Sequence, residues 1–384
     1  MSLLPSRADV VVIGGGVIGT SVACHLAEAG LTVVLVEAHD LGGGSTCKAA
    51  GGVRASFSDP VNIVMGLRGL EVYASFPELY GQHIDFTRSG YLYCLSDQTT
   101  VDAFTECAEL QRSLGRRASI VSPDEAVAVS PLVDPAPMLA ALWSPDDARA
   151  TPESVVAGYA AAARRYGAQV VTGVRVTGIE RSGPDITAVL TAAGRIDTSQ
   201  VVCAAGAWSA SIGELVGVDL PVVPSRRVIA FTEPLYDKRQ PWPLTATFPS
   251  TFYFHPEGRG LAFGWSDPAE PPGFDLTVEL GGWLDRVAPH VAQAAPGLLE
   301  CGVARSWTGL YENTPDHNQI IGRAAEVPGF FYATGYSGHG FLMAPATGEI
   351  VRDLVLDRTP GYDISGLDMR RFDRATAHAE RNII

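Results

Sequence analysis

A chain of 384 residues with 46% hydrophobic side chains is too long for one typical domain and apolar enough to build two sizeable cores. A formal net charge of −14 argues against a nucleic-acid or anionic-membrane surface, while leaving room for a local cationic pocket. The longest apolar stretch, Val10 to Ala23, is broken by four glycines and is too short to span a bilayer. No basic segment followed by an apolar core is visible at the amino terminus, so the expectation is a soluble cytoplasmic protein without a membrane partner. The six cysteines form no C-x-x-C pair and the eight histidines no H-x-x-x-H pair, so no metal site is expected.

Along the chain, Val10 to Ile13 is a β-branched run that reads as a buried strand. Gly14, Gly16 and Gly19 then supply G-x-G-x-x-G. Val17 to Ala29 reads as a helix stopped by Gly30, and Leu31 to Val36 as a second buried strand ending at Glu37. Strand, glycines, helix, strand and terminal acid together are the context of a dinucleotide-binding βαβ unit. Gly14 permits the tight turn, Gly16 lets a pyrophosphate approach the backbone, and Gly19 lets the helix pack on the strand. The helix start offers free N–H groups and a partial positive charge to the phosphates. Glu37 can accept from both hydroxyls of the adenosine ribose and would repel a 2′-phosphate, so FAD or NAD fits and NADP does not.

Leu41 to Arg54, L-G-G-G-S-T-C-K-A-A-G-G-V-R, holds five glycines and reads as a loop that brings backbone close to a ligand, with Ser45, Thr46 and Lys48 as polar donors beside the pyrophosphate. Asn62 to Tyr80 reads as one amphipathic helix, Gly90 to Leu95 as a strand, and Thr99 to Leu114 as a helix. Ser122 to Val129 and the T-P-E-S stretch within Ala148 to Tyr166 open with proline and acids in the first turn, which is a helix start. Ala168 to Val171, Arg175 to Ile179, and a hairpin of Ile186 to Leu190 with Ile196 to Thr198 follow as strands. Val201 to Trp208 reads as a buried strand running into a glycine, which in a doubly wound sheet would end beside the cofactor. Val222 to Thr232, Thr251 to His255 and Leu261 to Trp265 read as strands bounded by proline and glycine, and Leu276 to Ala288 as a helix. Gly329 to Thr334 is a last buried strand leading into G-Y-S-G-H-G-F and a helix from Ala344 to Leu356.

Nucleotide-binding features therefore lie near both ends and in the middle, with alternating β-rich material between them. The expected fold is α/β in two domains. A discontinuous Rossmann-like nucleotide-binding domain (1–84, 145–220 and 306–384) is interleaved with a mostly antiparallel substrate domain (85–144 and 221–305).

These residues resemble the D-amino-acid-oxidase-type FAD oxidoreductases, and within them the sarcosine oxidase and L-proline dehydrogenase β-subunit branch. The landmarks are the glycine motif with Glu37, S-T-C-K-A-A-G-G-V-R at 45–54, S-G-Y-L at 89–92 and A-G-A-W at 205–208. The most specific are W-T-G-L-Y-E-N-T-P-D at 307–316 and G-Y-S-G-H-G-F at 335–341. The resemblance implies an FAD lying between the two domains and oxidation of a C–N bond to an imine, with sarcosine- or proline-like secondary amines as the substrate class. Glycine-oxidase-like primary amines, or a mainly electron-transferring or assembly subunit, are the alternatives. Electrons would pass to oxygen or a redox carrier. A homo- or hetero-oligomer is compatible with the branch, and no nucleic-acid partner is expected.

By the same resemblance, Gly14, Gly16, Ile18, Gly19 and Glu37 hold the adenosine and pyrophosphate end. Ser45, Thr46, Lys48, Gly51, Val176, Gly206 and Trp208 border the cofactor further along. Gly335, Gly338, His339, Gly340, Phe341 and Leu342 form the loop at the flavin pyrimidine edge, where backbone N–H groups can stabilise negative charge. Arg54 falls where relatives bind the substrate carboxylate, and an arginine fork suits a planar carboxylate. Tyr253 and Tyr311 fall where family tyrosines line the pocket, and the same residues would serve as core tyrosines. His339 is the remaining catalytic candidate, adding charge or packing.

Departures from the family are equally informative. Ala262 stands where some oxidases place an oxygen-activating lysine, and Gly309 and Lys48 stand where relatives tether flavin covalently, so the FAD is expected to be non-covalent. Leu342 replaces a cationic ligand, and Arg227 stands at a histidine of the proline dehydrogenases; Arg226 and Arg227 are open as anion contacts or solvent-facing residues. A nicotinamide-linked dehydrogenase explains residues 8 to 37 and leaves the second glycine loop without a role.

Overall fold

Val10–Ile13 lies at the heart of a six-stranded sheet, because four consecutive apolar residues with no exposed face require cover on both sides. The computed structural model describes residues 4–373 and 378–382. Across this sheet the order is Ile320–Arg323, Phe330–Thr334, Gln200–Cys203, Val10–Ile13, Val33–Val36 and Gln169–Val171. All neighbours are parallel except the Ile320–Arg323 edge. Helices Val17–Glu28, Pro60–Ala74, Pro152–Arg165 and Gly340–Val355 share one buried cluster with this sheet. A three-stranded antiparallel sheet, Val176–Ser182, Asp185–Thr191 and Gly194–Asp197, covers the other face through Ile179, Ile186, Val189 and Ile196.

The second sheet has eight strands, in the order Val303–Asn313, Val223–Thr232, Gly260–Trp265, Tyr253–Glu257, Leu244–Phe248, Tyr91–Leu95, Ala140–Ser144 and Ser119–Val121. It is antiparallel but for the parallel pair Leu244–Phe248 with Tyr91–Leu95. Helix Leu280–Ala294 packs one face through Trp283, Val287 and Val291. The strand Val303–Asn313 runs across position 306, where the sequence suggested a change of domain, and its ladder partners all belong to Val223–Thr232.

Several elements differ from the sequence expectation for local reasons. The expected helix 62–80 is two, Pro60–Ala74 and Phe76–Tyr80, because Pro77 cannot continue the first ladder. The strand expected to reach Trp208 stops at Cys203, and Gly206, at φ +56°, turns the chain into a short 3₁₀ segment. The helix expected from Leu276 begins at Leu280, where the Glu279 carboxylate accepts from the Gly281 and Gly282 N–H groups. It continues past Pro289 because Val291 and Ala294 bury the same face.

The final helix starts at Gly340, four residues before the expected Ala344. Pro345 cannot donate to the Phe341 carbonyl, and the Tyr73 hydroxyl donates to it instead at 2.6 Å. Gly340, Phe341 and Leu342 are thus first-turn helix residues and not loop. Ala140–Ser144, Leu244–Phe248 and Val303–Asn313 are further strands, beyond those the sequence pattern marks.

Candidate active site

The carboxyl ends of Val10–Ile13, Val33–Val36, Gln200–Cys203 and Phe330–Thr334 open onto a cavity of about 470 Å³ whose opposite wall is the eight-stranded sheet. In an open parallel sheet this is where ligands bind. Gly14, at φ +115°, has no room for a side chain, because a Cβ there would sit 2.3 Å from the Ala204 carbonyl oxygen. A Cβ at Gly19 would sit 1.9 Å from the Gly14 carbonyl oxygen, so the first helix closes directly on the turn.

Gly16 caps that helix without a side chain, and Thr46 Oγ1 accepts from the Val17 N–H at 3.1 Å. Glu37 accepts from the Gly15 N–H at 2.6 Å through one oxygen and from the His39 N–H at 2.7 Å through the other. A carboxylate has about four acceptor positions. Two contacts therefore orient Glu37 and leave capacity for two hydroxyls.

The glycine-rich loop is clamped to the opposite sheet. Ser45 Oγ donates to the Leu310 carbonyl at 2.6 Å, and Trp307 Nε1 donates to the Lys48 carbonyl at 3.1 Å. A Cβ at Gly309 would lie 2.8 Å from the Lys48 Cβ. Trp208 stacks on Phe274 at the rim, with centroids 5.7 Å apart.

The second glycine turn is built on side chains. A Cβ at Gly338, φ +96°, would fall 2.4 Å from the Tyr311 ring, and one at Gly335, φ +75°, 2.4 Å from Thr314 Cγ2. Glu312, which sequence reasoning missed, lines the cavity behind this turn. Thr334 Oγ1 donates to its carboxylate at 2.9 Å. Burial pushes the Glu312 carboxyl up to about 7, against the hydrogen bonds from Thr334 and the Gly335 and Tyr336 N–H groups. The signal in the sequence is a lone acid within the strand motif W-T-G-L-Y-E-N.

Arg54, Tyr253, Tyr311 and His339 all line the cavity. Arg54 is 5% exposed. Its Nη1 donates to the Ser56 carbonyl at 2.9 Å, its Nη2 to the Asn382 carbonyl at 2.8 Å, and its guanidinium lies 4.0 Å above the Phe57 ring. The neighbouring ring of Phe57 stands 5.3 Å from that of His339. Burial and the Arg54 charge hold His339 well below the ordinary histidine range, so it is neutral. Burial raises both tyrosine hydroxyls, so they are protonated.

Arg227 also lines the cavity, 4.9 Å over the Tyr311 ring, with Ser225 and Ser266 holding its guanidinium. Arg226 is turned away and paired with Glu270 through two nitrogens. Ala262 is buried in a cluster with Ile229 and Phe231, against Trp307 and Ala50.

Sixteen of the expected cofactor residues border the cavity: Gly14, Gly16, Ile18, Glu37, Ser45, Thr46, Lys48, Gly51, Val176, Gly206, Trp208, Gly338, His339, Gly340, Phe341 and Leu342. Gly19 and Gly335 stand behind the wall and support it. Among the described residues, no group of three or more His, Cys, Asp or Glu side chains could hold a metal ion, and no helix is long and apolar enough to cross a membrane.

A glycine cradle at the ends of parallel strands, an acid with acceptor capacity to spare and a polar wall contributed by a second sheet define a dinucleotide-dependent oxidoreductase. Residues 9–354 match the family described as FAD dependent oxidoreductase, and the chain belongs to that family, with FAD as its cofactor. It is 29% identical over 392 residues to dimethylglycine dehydrogenase of Mus musculus, covering 96% of this chain and 45% of the relative. It is 28% identical over 382 residues to the 4-methylaminobutanoate oxidase (formaldehyde-forming) of Paenarthrobacter nicotinovorans, covering 96% and 46%. The chain thus spans less than half the length of these curated relatives. Among solved structures, L-proline dehydrogenase from P. horikoshii superposes with a TM-score of 0.90 at 32% identity, covering 97% of this chain and 99% of that one.

The residues present fit FAD. Gly14 sits where any Cβ would meet backbone, the Glu37 carboxylate retains acceptor capacity, and His339 Nδ1 is a buried acceptor without a partner among the described residues.

Proposed function

We propose that the chain oxidises the C–N bond of an amino acid or N-alkyl amino acid to an imine, with a sarcosine- or proline-like secondary amine as the substrate class. The observation that carries this reading is Arg54: a buried guanidinium on the cavity wall, fixed by two main-chain carbonyls, with donors left for a carboxylate. FAD, when bound, takes up the hydride equivalent from the carbon beside the amine nitrogen.

The chain's own residues do the rest. Arg54 binds the carboxylate. Tyr253 and Tyr311, protonated, offer hydroxyls on the same wall. The positive charges of Arg54 and Arg227 disfavour an ammonium between them, so the amine is bound neutral, as its oxidation requires. The released imine hydrolyses in water. In this reading the glycine-rich segments and the six-stranded sheet form the FAD domain and the eight-stranded sheet the substrate domain, and the protein works in the cytoplasm.

The same reading makes the FAD non-covalent and oxygen a poor acceptor. Gly309 offers no nucleophile and packs on Lys48, and Ala262 brings no cation to the flavin. The test is anaerobic flavin bleaching against a panel of secondary and primary amino acids and their decarboxylated amines. A redox dye or oxygenated buffer is then added to the reduced protein. Bleaching by secondary amino acids, and faster reoxidation by dye than by oxygen, is the expected result. Equal bleaching by the decarboxylated amines would remove the role of Arg54, and oxygen matching the dye would make the protein an oxidase.

A further inference from the structure

The cavity wall at Arg54 and His339 is held from behind by residues 378–382, a strap that nothing in the family motifs involves. Glu380 is 2% exposed, and its carboxylate sits at the start of helix Pro60–Ala74. It accepts from Ser58 N at 2.8 Å, Ser58 Oγ at 2.6 Å, Asp59 N at 3.1 Å, Asn62 Nδ2 at 2.9 Å and Asn382 N at 3.0 Å. A buried carboxylate with this many donors at a helix N-terminus is well compensated, so the strap is firmly seated. Two residues on, the Asn382 carbonyl accepts from Arg54 Nη2, and Asn382 Nδ2 donates to the Ser56 carbonyl at 3.3 Å.

A second line leaves the same carboxylate. An ionised carboxylate only accepts, so Asn62 turns its Nδ2 toward Glu380. The other Nδ2 hydrogen goes to Asn318 Oδ1 at 2.7 Å, an amide that the strap itself orients, its His378 carbonyl accepting from Asn318 Nδ2. Asn62 Oδ1 then accepts from Gln319 Nε2 at 3.0 Å, which leaves Gln319 Oε1 to face His339 Nε2 at 3.1 Å. An amide oxygen requires a donor, so the proton of neutral His339 sits on Nε2 and its Nδ1 carries a lone pair. That Nδ1 is buried and has no partner among the described residues.

We propose that Glu380 is a positioning residue of the candidate substrate site. It seats the strap whose Asn382 carbonyl holds Arg54, and it sets the direction of the Asn62–Gln319–His339 chain so that His339 presents Nδ1 as an acceptor. The Arg54 half rests on the reading of Arg54 as the carboxylate ligand; the His339 half does not.

The experiment uses the full-length, FAD-loaded protein with propionate as a carboxylate probe and propionamide as its uncharged control, each titrated through the flavin absorbance. Arg54→Met should weaken propionate by roughly 30-fold or more, the range for leaving a buried charge unpaired. Glu380→Gln, which puts an amide among donors, should weaken it by about tenfold, and the double variant should be no weaker than Arg54→Met, because the two act through one group. Propionamide should be indifferent to all three. Nitrogen-15 histidine NMR should show His339 as the Nε2–H tautomer in the parent and a tautomer mixture in Glu380→Gln. Gln319→Leu, which leaves the strap intact, should release the tautomer and spare propionate binding, and it carries the test if Glu380→Gln does not fold.

A Glu380→Gln protein that merely melts at lower temperature, with propionate affinity and the His339 tautomer unchanged, overturns the proposal. So does a Gln319→Leu protein that keeps the Nε2–H tautomer. Propionate binding that is insensitive to Arg54→Met defeats the carboxylate reading and, with it, the Arg54 half, while the NMR result still decides the His339 half.

Discussion

Two strand–turn–helix units meet at the cavity, and they enforce their glycines in different ways. In the first, Gly14 and Gly19 face backbone: the Ala204 carbonyl at 2.3 Å and the Gly14 carbonyl at 1.9 Å from a would-be Cβ. In the second, Gly335 and Gly338 face side chains, those of Thr314 and Tyr311. Backbone carbonyls are the same in every sequence, so the first unit has a fixed spacing wherever it occurs. The second is defined only against the strand Val303–Asn313, which supplies Tyr311 and Glu312. On the proposed reading the first unit is a general phosphate cradle. The second is a junction between the glycine turn and the eight-stranded sheet, and its requirements are particular to this partner sheet.

The largest expected effect separates the two. Gly19→Ala drives a methyl into backbone that cannot yield, and should cost about 3 kcal/mol or more, at or above the usual range for overpacking. Protein that is insoluble or colourless is the expected outcome. Gly338→Ala meets an aromatic ring that can shift, at roughly 1–3 kcal/mol, with about 1 kcal/mol more for an alanine held at φ +96°, and should leave a yellow, folded protein with a disturbed second turn. Thermal melts with and without added FAD check both. If the two variants lose stability and colour alike, the distinction between the units fails.

A smaller effect probes the first unit alone. Glu37→Ala removes charge-assisted hydrogen bonds worth roughly 1.5–3 kcal/mol each. FAD affinity should fall at least about tenfold, read by flavin fluorescence on dilution. In the parent protein, acid precipitation should leave the yellow colour in the supernatant, and colour in the pellet would mean a covalent link. Unchanged FAD retention in Glu37→Ala would place the ribose elsewhere.

This contrast also explains what could be read from the sequence. The first unit was legible to within a residue or two, because strand, glycines, helix and acid are adjacent in the chain and constrained by backbone. The cavity-lining roles of Arg54, Tyr253, Tyr311 and His339 came from resemblance, since the residues lie far apart in sequence and only the interleaved sheets bring them together. Glu312 was not seen as a site because its significance comes from Thr334 and the Gly335 turn, not from its own neighbours. The strap was invisible for the same reason: Glu380 and Arg54 are separated by nearly the whole chain. The sequence pattern starts the final helix four residues late because Pro345 reads as a boundary, whereas Tyr73, on another helix, satisfies the carbonyl it abandons.

The smallest effect tests the second unit through Glu312. Its carboxyl is pushed up to about 7 in the folded protein, mainly by burial. Between the ordinary carboxylate range and that value the native state holds a proton that the unfolded chain has released. The stability this group contributes is therefore fully present below the ordinary range and is lost as pH rises through about 7. The buried His255 and His339 act in the opposite sense. Both are held neutral well below the ordinary histidine range, so the stability they contribute is present above that range and lost as pH falls. The parent curve sums these slopes, and a single melt at one pH cannot separate them. Tyr336 and Cys203, the titratable neighbours whose charge would act on Glu312, are themselves raised by burial and stay neutral through neutral pH. Glu312→Gln keeps the shape and fixes the group as uncharged, so only its slope disappears. With FAD removed, the variant and the parent should melt together near pH 4, and the variant should melt a few degrees higher near pH 8. A difference that stays constant across that interval would mean that Glu312 does not titrate there, and that the second turn is held by its aromatic packing on Tyr311 alone.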